Sequence, residues 1–356
     1  MLTTLIFTTM LVDAVPLGTL DNGRMIQIKS GGETKLVAIE PLNAASHISK
    51  NLVSDYFDTT ITIGDIEFVL PAGIPTREPL SGSRLSGERI ESRFGQEVFD
   101  NCTVLVDYIS ETISFDSIYM SETEIDNWLA ESGSSGKRVN NTLRQRGDRR
   151  YVSTSAKLGD DQTEIMPLLL LNAYQLSRPG TSLIEPFSSE GQSSEGGRFG
   201  QLSFGTTTQP FVVASARKNG EISGDNVFCL RSLGPRRIAW NPTLGRLTYL
   251  QPSLKESVEA FLRSSVLQLP VLISGQRIRI GQFPALDDRR TKIENSEVLK
   301  IGEYPVSDIL KAMSQSEDAV GKILIALSKQ KAEGKLTVTI TKDGKEQILQ
   351  VTKTIF

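Results

Sequence analysis

A set of short features recurs in the same order in two stretches of this chain. In the first, Leu42-Asn43-Ala44 precedes Ile48-Ser49, then Leu85-Ser86-Gly87-Glu88, then Val104-Leu105-Val106-Asp107-Tyr108 and Thr112-Ile113-Ser114-Phe115. In the second, Leu171-Asn172-Ala173 precedes Leu176-Ser177, then Ile222-Ser223-Gly224-Asp225, then Arg237-Ile238-Ala239-Trp240-Asn241 and Gly245-Arg246-Leu247-Thr248-Tyr249. Two arbitrary β segments rarely reproduce such an order, so the stretches read as homologous lobes.

The residues between these features are those of strands and turns. From Arg24 to about Phe115, runs of strand formers alternate with turns: Met25 to Ile28, Ser30-Gly31-Gly32, Leu36 to Ile39, then Thr59 to Ile63 and Ile66 to Leu70 across Gly64-Asp65. That is the pattern of hairpins in an all-β segment. Glu122 to Leu129 has helical spacing. Ser132 to Arg150 carries six positive residues and one Asp, with no aromatic residue before Tyr151. It reads as a solvated linker over 131–155 rather than a nucleic-acid patch.

Strand-and-turn patterning returns from about Thr163 to Gln251, broken by the Gly/Ser-rich stretch Ser188 to Gly197. Ser253-Leu254-Lys255-Glu256 after Pro252 then has the form of a capping box. In that motif the serine accepts from the third backbone N–H and the glutamate reaches back to the cap. Leu254, Val258, Phe261, Leu262 and Val266 place one apolar stripe behind it. The helix leads into an α+β segment with strands at Ile278 to Ile280 and Val298 to Ile301 and helices around Ser307 to Met313 and Asp318 to Lys331. A hairpin, Leu336 to Thr341 and Gln347 to Val351, closes it around Asp343-Gly344. The expected organisation is a strand or weak signal segment over 1–23, lobe one over 24–130, the linker, lobe two over 156–251, a connecting helix over 252–270 and a small domain over 271–356.

The rare residues exclude more than the common ones do. The chain has 356 residues with 39 basic and 42 acidic side chains, a net charge of -3, which gives no electrostatic case for a nucleic-acid partner. One histidine, His47, and two cysteines, Cys102 and Cys229, exclude a His-pair metal site, a zinc knuckle and a disulfide framework. No metal or other cofactor is implied. The cysteines are either two free thiols or one bridge.

Histidine-based hydrolysis must run through His47. His47, Ser46 and Glu40 lie close together on one turn, where nucleophile, base and orienter rarely find their geometry, so a structural histidine is expected. Carboxylates remain the abundant catalytic resource. Nothing approaches the roughly 18 consecutive apolar residues of a membrane span. Residues 1–15 hold a short apolar run with no Lys or Arg before Arg24, read equally as a strand at Leu5 to Thr9 or as a cleaved signal.

With these features the chain resembles the aspartic proteases of the retropepsin and pepsin type. In that family each lobe has an apolar strand running into Asp-Thr-Gly-Ala, then a small-residue turn, and later an apolar-apolar-Gly turn and a terminal hairpin. The stretch Ile39-Glu40-Pro41-Leu42-Asn43-Ala44-Ala45-Ser46-His47-Ile48-Ser49 fits the first frame without a gap. Glu40 falls at the catalytic aspartate, Pro41 at the threonine and Leu42 at the glycine. Leu168-Leu169-Leu170-Leu171 takes the corresponding place in lobe two, and Leu85-Ser86-Gly87 and Ile222-Ser223-Gly224 match the later glycine turns. The resemblance implies a mainly β fold, with two retropepsin-like β-barrel lobes in a pepsin-like bilobal arrangement.

The same comparison implies lost chemistry. Aspartic proteolysis needs two carboxylates that share a proton, one acting as base on a water while the other donates to the carbonyl. Glu40 and Leu168 are then degenerate catalytic positions, and Glu40 is either a displaced acid or a surface or paired carboxylate. Asp58-Thr59-Thr60 resembles the signature only superficially and reads as the start of the strand Thr60 to Ile63.

The last segment resembles a PDZ domain. Ser296-Glu297-Val298-Leu299-Lys300-Ile301-Gly302-Glu303-Tyr304-Pro305-Val306 looks like that family's "Gly-Asp-x-Ile-Leu-x-Ile-Gly-x-x-Pro-Val", with Ser296-Glu297 in place of Gly-Asp. PDZ domains add an extended peptide to a sheet edge beside a helix and capture its terminal carboxylate on backbone N–H groups. Carried over, the carboxylate loop falls at Ser274-Gly275-Gln276-Arg277, the receiving strand at Ile278 to Ile280, and the groove helix presents Ile323 and Leu327. Core packing is the other reading of those apolar residues.

The expected function is a non-catalytic module that binds an extended peptide or protein ligand, secreted or in the cell envelope, with the cytoplasm as the alternative. The competing expectations are a divergent aspartic endopeptidase using Glu40 and a structural scaffold of a cell-envelope assembly.

Overall fold

The computed structural model describes residues 14–351 other than 21–22, 43–45, 74, 78–83, 86–87, 90–91, 101, 118–119, 148, 154–155, 159–160, 164, 171–181, 186–197, 205, 216–225, 268 and 282–290. The protein is mainly β. Expectations for 1–13, for the Gly/Ser-rich stretch and for Leu171-Asn172-Ala173, Leu176-Ser177 and Ile222-Ser223-Gly224 lie outside the described residues.

A seven-stranded sheet joins the two stretches that the sequence reads as copies. Its order is Val15–Pro16, Thr112–Ser117, Cys102–Asp107, Arg237–Asn241, Arg246–Leu250, Arg138–Arg146, Arg149–Val152. At its centre the two copies pair antiparallel, Val104 opposite Trp240 and Val106 opposite Ile238. Each of these central strands is also one arm of a hairpin from its own copy, so a local dyad relates the hairpins. Val104, Val106, Ile238 and Trp240 are all fully buried. β-branched and aromatic residues favour such a doubly covered strand because their side chains fill the pleated surface.

Outside that sheet the two stretches share one junction, although the strand orders of their own sheets differ. In the first, Glu33–Ile39 pairs parallel with the short Arg93–Phe94, which runs through the helical turn Gln96–Phe99 into its hairpin. In the second, Ile165–Leu168 pairs parallel with Asn226–Cys229, which runs through Leu230–Leu233 into the other hairpin. Asn226–Cys229 also pairs with Ser182–Glu185 on its far side. Phe94 is likewise held between two segments, because Arg93 forms a bridge with His47. One apolar cluster runs through residues of both copies, from Val15 to Tyr249, and includes the stacked pair Phe99 and Phe115 with Phe68 edge-on to both.

The linker expected over 131–155 is corrected. Arg138–Arg146 is a nine-residue strand that pairs with Arg246–Leu250, and Arg149–Val152 folds back on it. Val139, Asn141 and Leu143 face inward while Asn140 and Thr142 face water. The period-2 pattern was hidden because one inward position is polar: Asn141 donates from Nδ2 to the buried Tyr249 hydroxyl at 3.1 Å. The basic residues fall largely on the other face, where charge is tolerated on a half-exposed strand.

A second core, from Val258 to Val351, belongs to the C-terminal part. Its sheet runs Val271–Ser274, Arg277–Ile280, Glu297–Ile301, Thr337–Lys342, Lys345–Gln350, with Tyr304–Pro305 beside the third strand. The helices Val306–Gln315 and Glu317–Ala332 cover it. The capping box forms: Ser253 accepts from the Glu256 N–H, and the Glu256 carboxylate accepts from the Ser253 N–H at the start of Leu254–Phe261. That helix continues as a π-helical turn, Leu262–Leu267. Among the described residues, no helix is long and apolar enough to cross a membrane.

Gly136 marks where the Arg138–Arg146 strand is clamped. A Cβ built there lies 1.8 Å from the Gln251 carbonyl oxygen, while the Gln251 N–H donates to the Lys137 carbonyl at 2.7 Å. Gly136→Ala is expected to lower the unfolding free energy by about 1–3 kcal/mol, the usual cost of forcing extra atoms into a packed contact. Urea denaturation of the full chain measures this; unchanged stability would show that the contact relaxes freely.

Candidate functional site

The two copies meet at Glu40. Its strand, Glu33–Ile39, ends one residue earlier, and the Glu40 N–H donates to the Phe94 carbonyl at 2.9 Å, which fixes the residue at the parallel junction. The side chain points across the molecule. Oε1 accepts the Leu169 N–H at 2.9 Å and Oε2 accepts the Leu170 N–H at 2.8 Å, just past the end of Ile165–Leu168. The Leu42 N–H also approaches Oε1, at 3.5 Å.

Glu40 is only 4% exposed. A carboxylate so placed loses its water shell, a cost that is compensated only when its oxygens receive hydrogen bonds. Successive backbone amides converging on one anion meet that need. The apolar side chains of Leu42, Leu169 and Leu170 are buried around it. Leu169 is held at both ends of its peptide units, because its carbonyl accepts the Tyr108 hydroxyl at 2.5 Å.

The sequence therefore placed Glu40 and the leucine run at one locus, and the structure brings them together. Glu40 is not at the surface. The Leu168 backbone lies in the strand, in register with Cys229. Of the match at Leu85-Ser86-Gly87, Leu85 opposes Glu88 in a separate two-stranded pairing, while Ser86 and Gly87 lie outside the described residues. The segment lying parallel to the Glu40 strand is Arg93-Phe94-Gly95. A two-residue strand has too little periodicity to stand out in a sequence; the Phe94-Gly95 step before a helical turn was the available signal.

His47 and Ser46 are tied into the same framework. His47 exchanges backbone hydrogen bonds with Arg93, at 2.8 and 2.9 Å. Ser46 Oγ accepts the Gly95 N–H at 2.9 Å and the Ser46 N–H donates to Glu97 at 2.9 Å. Asp58 Oδ1 accepts the Ala72 N–H at 2.8 Å, at the start of Thr59–Ile63. Among the described residues, no three His, Cys, Asp or Glu side chains gather as metal ligands would.

The residues expected to hold a peptide are distributed differently. Ser274, Gly275, Gln276 and Arg277 form an exposed hairpin turn, and Arg277 pairs with Glu297 at 3.1 Å. Ile278, Ile280 and Leu327 are buried core, and Ile323 packs half-buried against it. The strand Arg277–Ile280 has a neighbour on each side, Val271–Ser274 and Glu297–Ile301, so the receiving edge expected there is taken. The hairpin partner arises from the chain's own Val271–Ser274, which the strand pattern around Ile278 did not reveal. Lys345–Gln350 pairs with Thr337–Lys342 alone among the described strands and keeps most of its side chains exposed.

A buried ionic cluster, unrecognised in the sequence, sits between the part that holds the seven-stranded sheet and the C-terminal part. Arg231 pairs with Glu111, Arg236 with Glu256 and Glu259, each at 3.3 Å, and Arg263 with Glu259 at 3.5 Å. Burial pushes the Arg263 guanidinium below its usual value, and the neighbouring Arg231 adds to this while Glu259 and Glu111 oppose it. No protein-family model matches the chain, and no curated protein matches it.

Two measurements follow from this geometry. Glu40→Gln turns one acceptor into a donor facing a backbone N–H, and is expected to destabilise the fold by about 2 kcal/mol; a chemical-denaturation curve superimposed on the wild type would contradict it. Cys102 is a buried free thiol whose pKa is raised from 9.0 to about 12, first by burial and then by Asp100 and Asp116. The fold favours the neutral thiol, so this contribution to stability is complete below about pH 9 and is lost as pH rises toward 12. At pH 8, mass-spectrometric mapping should find Cys102 unlabelled by a thiol reagent in the native chain and labelled after denaturation; prompt native labelling would refute the assignment.

Proposed function

We propose that the protein is a non-catalytic relative of the two-lobed aspartic proteases, with a PDZ-like C-terminal domain, acting as a peptide- or protein-binding module. The observation that carries this reading is the occupancy of Glu40. At the position that corresponds to a catalytic aspartate, both carboxylate oxygens receive amides of Leu169 and Leu170. A general base for hydrolysis needs a free oxygen directed at a water, with a second carboxyl beside it. The antiparallel joining of the hairpins and the repeated parallel junctions support the family reading by topology alone.

For the C-terminal part, the strand order and the helix pair support the PDZ-like reading, while the peptide site moves. Among the described strands, Val271–Ser274 and Lys345–Gln350 are the two edges of this sheet; the first has its Ile273 N–H taken by Glu259, and the second offers backbone groups to an added strand. A scaffold role rests on the same inert inter-copy contact and differs in binding folded proteins in place of extended peptides.

The test has two arms. Full-length protein incubated at acid pH with an unfolded substrate is expected to give no cleavage; pepstatin-sensitive cleavage that Glu40→Gln abolishes would establish the peptidase instead. Selection of a peptide library on the full chain should return extended, β-forming sequences whose binding slows amide exchange in Lys345–Gln350. A library that returns no ligand would remove the peptide-binding reading.

A further inference from the structure

The Glu40 contact and the C-terminal domain are connected by an unbroken series of polar contacts. Leu169 donates its N–H to Glu40 and accepts the Tyr108 hydroxyl on its carbonyl. The Tyr108 carbonyl in turn accepts from Arg263 Nη1 at 2.6 Å. Arg263 Nη2 lies 3.5 Å from Glu259 Oε1, and the other oxygen of Glu259 accepts the Ile273 N–H at 3.0 Å. Ile273 belongs to the first strand of the C-terminal sheet and to its core. A second connection closes the loop: the Tyr108 N–H donates to the Arg236 carbonyl at 2.8 Å, and Arg236 Nη2 donates to Glu259 Oε2 at 3.3 Å.

Every member of this series is buried or nearly so. Tyr108, Leu169, Glu259, Arg263 and Ile273 each expose 3% or less. Glu259 Oε1, Arg236 Nε and Arg263 Nε are buried without a hydrogen bond, so the network has no spare partner, and removing one more leaves an uncompensated charge or amide in a dry interior. The element that bears Arg263 also departs from α-helical geometry. It lies in the π-helical turn Leu262–Leu267, a geometry that usually occurs as an inserted residue in an α-helix and is frequent at functional positions.

We propose that the inter-copy contact at Glu40 and the seating of the C-terminal domain on Glu259 form a single coupled device, in which loosening either one loosens the other. Linkage makes this reciprocal: whatever displaces the C-terminal sheet from Glu259 releases Leu169, and whatever orders Leu169 and Leu170 secures the C-terminal domain. A partner engaging the C-terminal domain is thereby sensed at the junction of the two copies, through Tyr108 and Arg263.

Hydrogen exchange of single amides in the full chain tests the coupling. Glu259→Gln keeps the side-chain shape and removes the charge that Arg236 and Arg263 share. It should accelerate exchange at Leu169 and Leu170 by about tenfold, the factor that corresponds to one lost hydrogen bond of ordinary strength, while Val104 and Val106 in the central sheet keep their rates. Tyr108→Phe deletes a single hydroxyl and retains the backbone links, so it serves if Glu259→Gln does not fold; reciprocity then requires faster exchange at Ile273. In the double variant the two effects should fall short of their product, as expected within one network. Unchanged rates at Leu169 and Leu170 in Glu259→Gln, an unchanged rate at Ile273 in Tyr108→Phe, or fully independent effects would each overturn the proposal.

Discussion

A single buried carboxylate sets the relation between the two halves of this protein. Glu40 stands just past the end of the strand Glu33–Ile39, and its two oxygens accept amides just past the end of the strand Ile165–Leu168. Burying an ion is unfavourable until its lone pairs are filled, so the carboxylate demands that both strand ends arrive together and in register. The demand is strict because the donors are backbone groups, which cannot move without moving the strands. The parallel junctions on each side, Ala38 with Arg93 and Leu168 with Cys229, hold those ends in place.

The seven-stranded sheet supplies what one hydrogen-bonded ion cannot, a large apolar area. Its central strands bury Val104, Val106, Ile238 and Trp240 together, and burial of such side chains contributes roughly 1.5–3 kcal/mol each. The division of labour is physical. Apolar contact is strong but undirected, whereas the carboxylate with its two amides is weak in net energy but exacting in geometry. The ionic cluster around Glu259 plays a comparable part at the second boundary, where Arg236 and Arg263 bring charges from different segments to one residue.

Much of the fold was legible wherever its cause was local. The capping box at Ser253 and Glu256, the stripe behind it, and the hairpins at Gly64-Asp65 and Asp343-Gly344 each depend on residues a few positions apart, and each forms as read. The strand Arg138–Arg146 was not legible, because one of its two partners, Arg246–Leu250, lies about a hundred residues away and one of its inward positions is an asparagine satisfied by Tyr249. Glu40 was found as a position but not as an interaction, since backbone amides carry no residue signature. Glu259 and Arg263 stand four apart, a spacing normally taken for an exposed pair; here they are interior, with Tyr108, Arg236 and Ile273 from distant segments bonded to them.

The account turns on whether Glu40 holds both amides of the opposite copy in solution. Scalar coupling across a hydrogen bond reports this directly, between the amide nitrogens of Leu169 and Leu170 and the carboxylate carbon of Glu40 in isotope-labelled full-length protein. The account predicts a measurable coupling at both amides together with slow exchange of their protons. Absence of coupling at both, with exchange as fast as that of an unprotected amide, would contradict it.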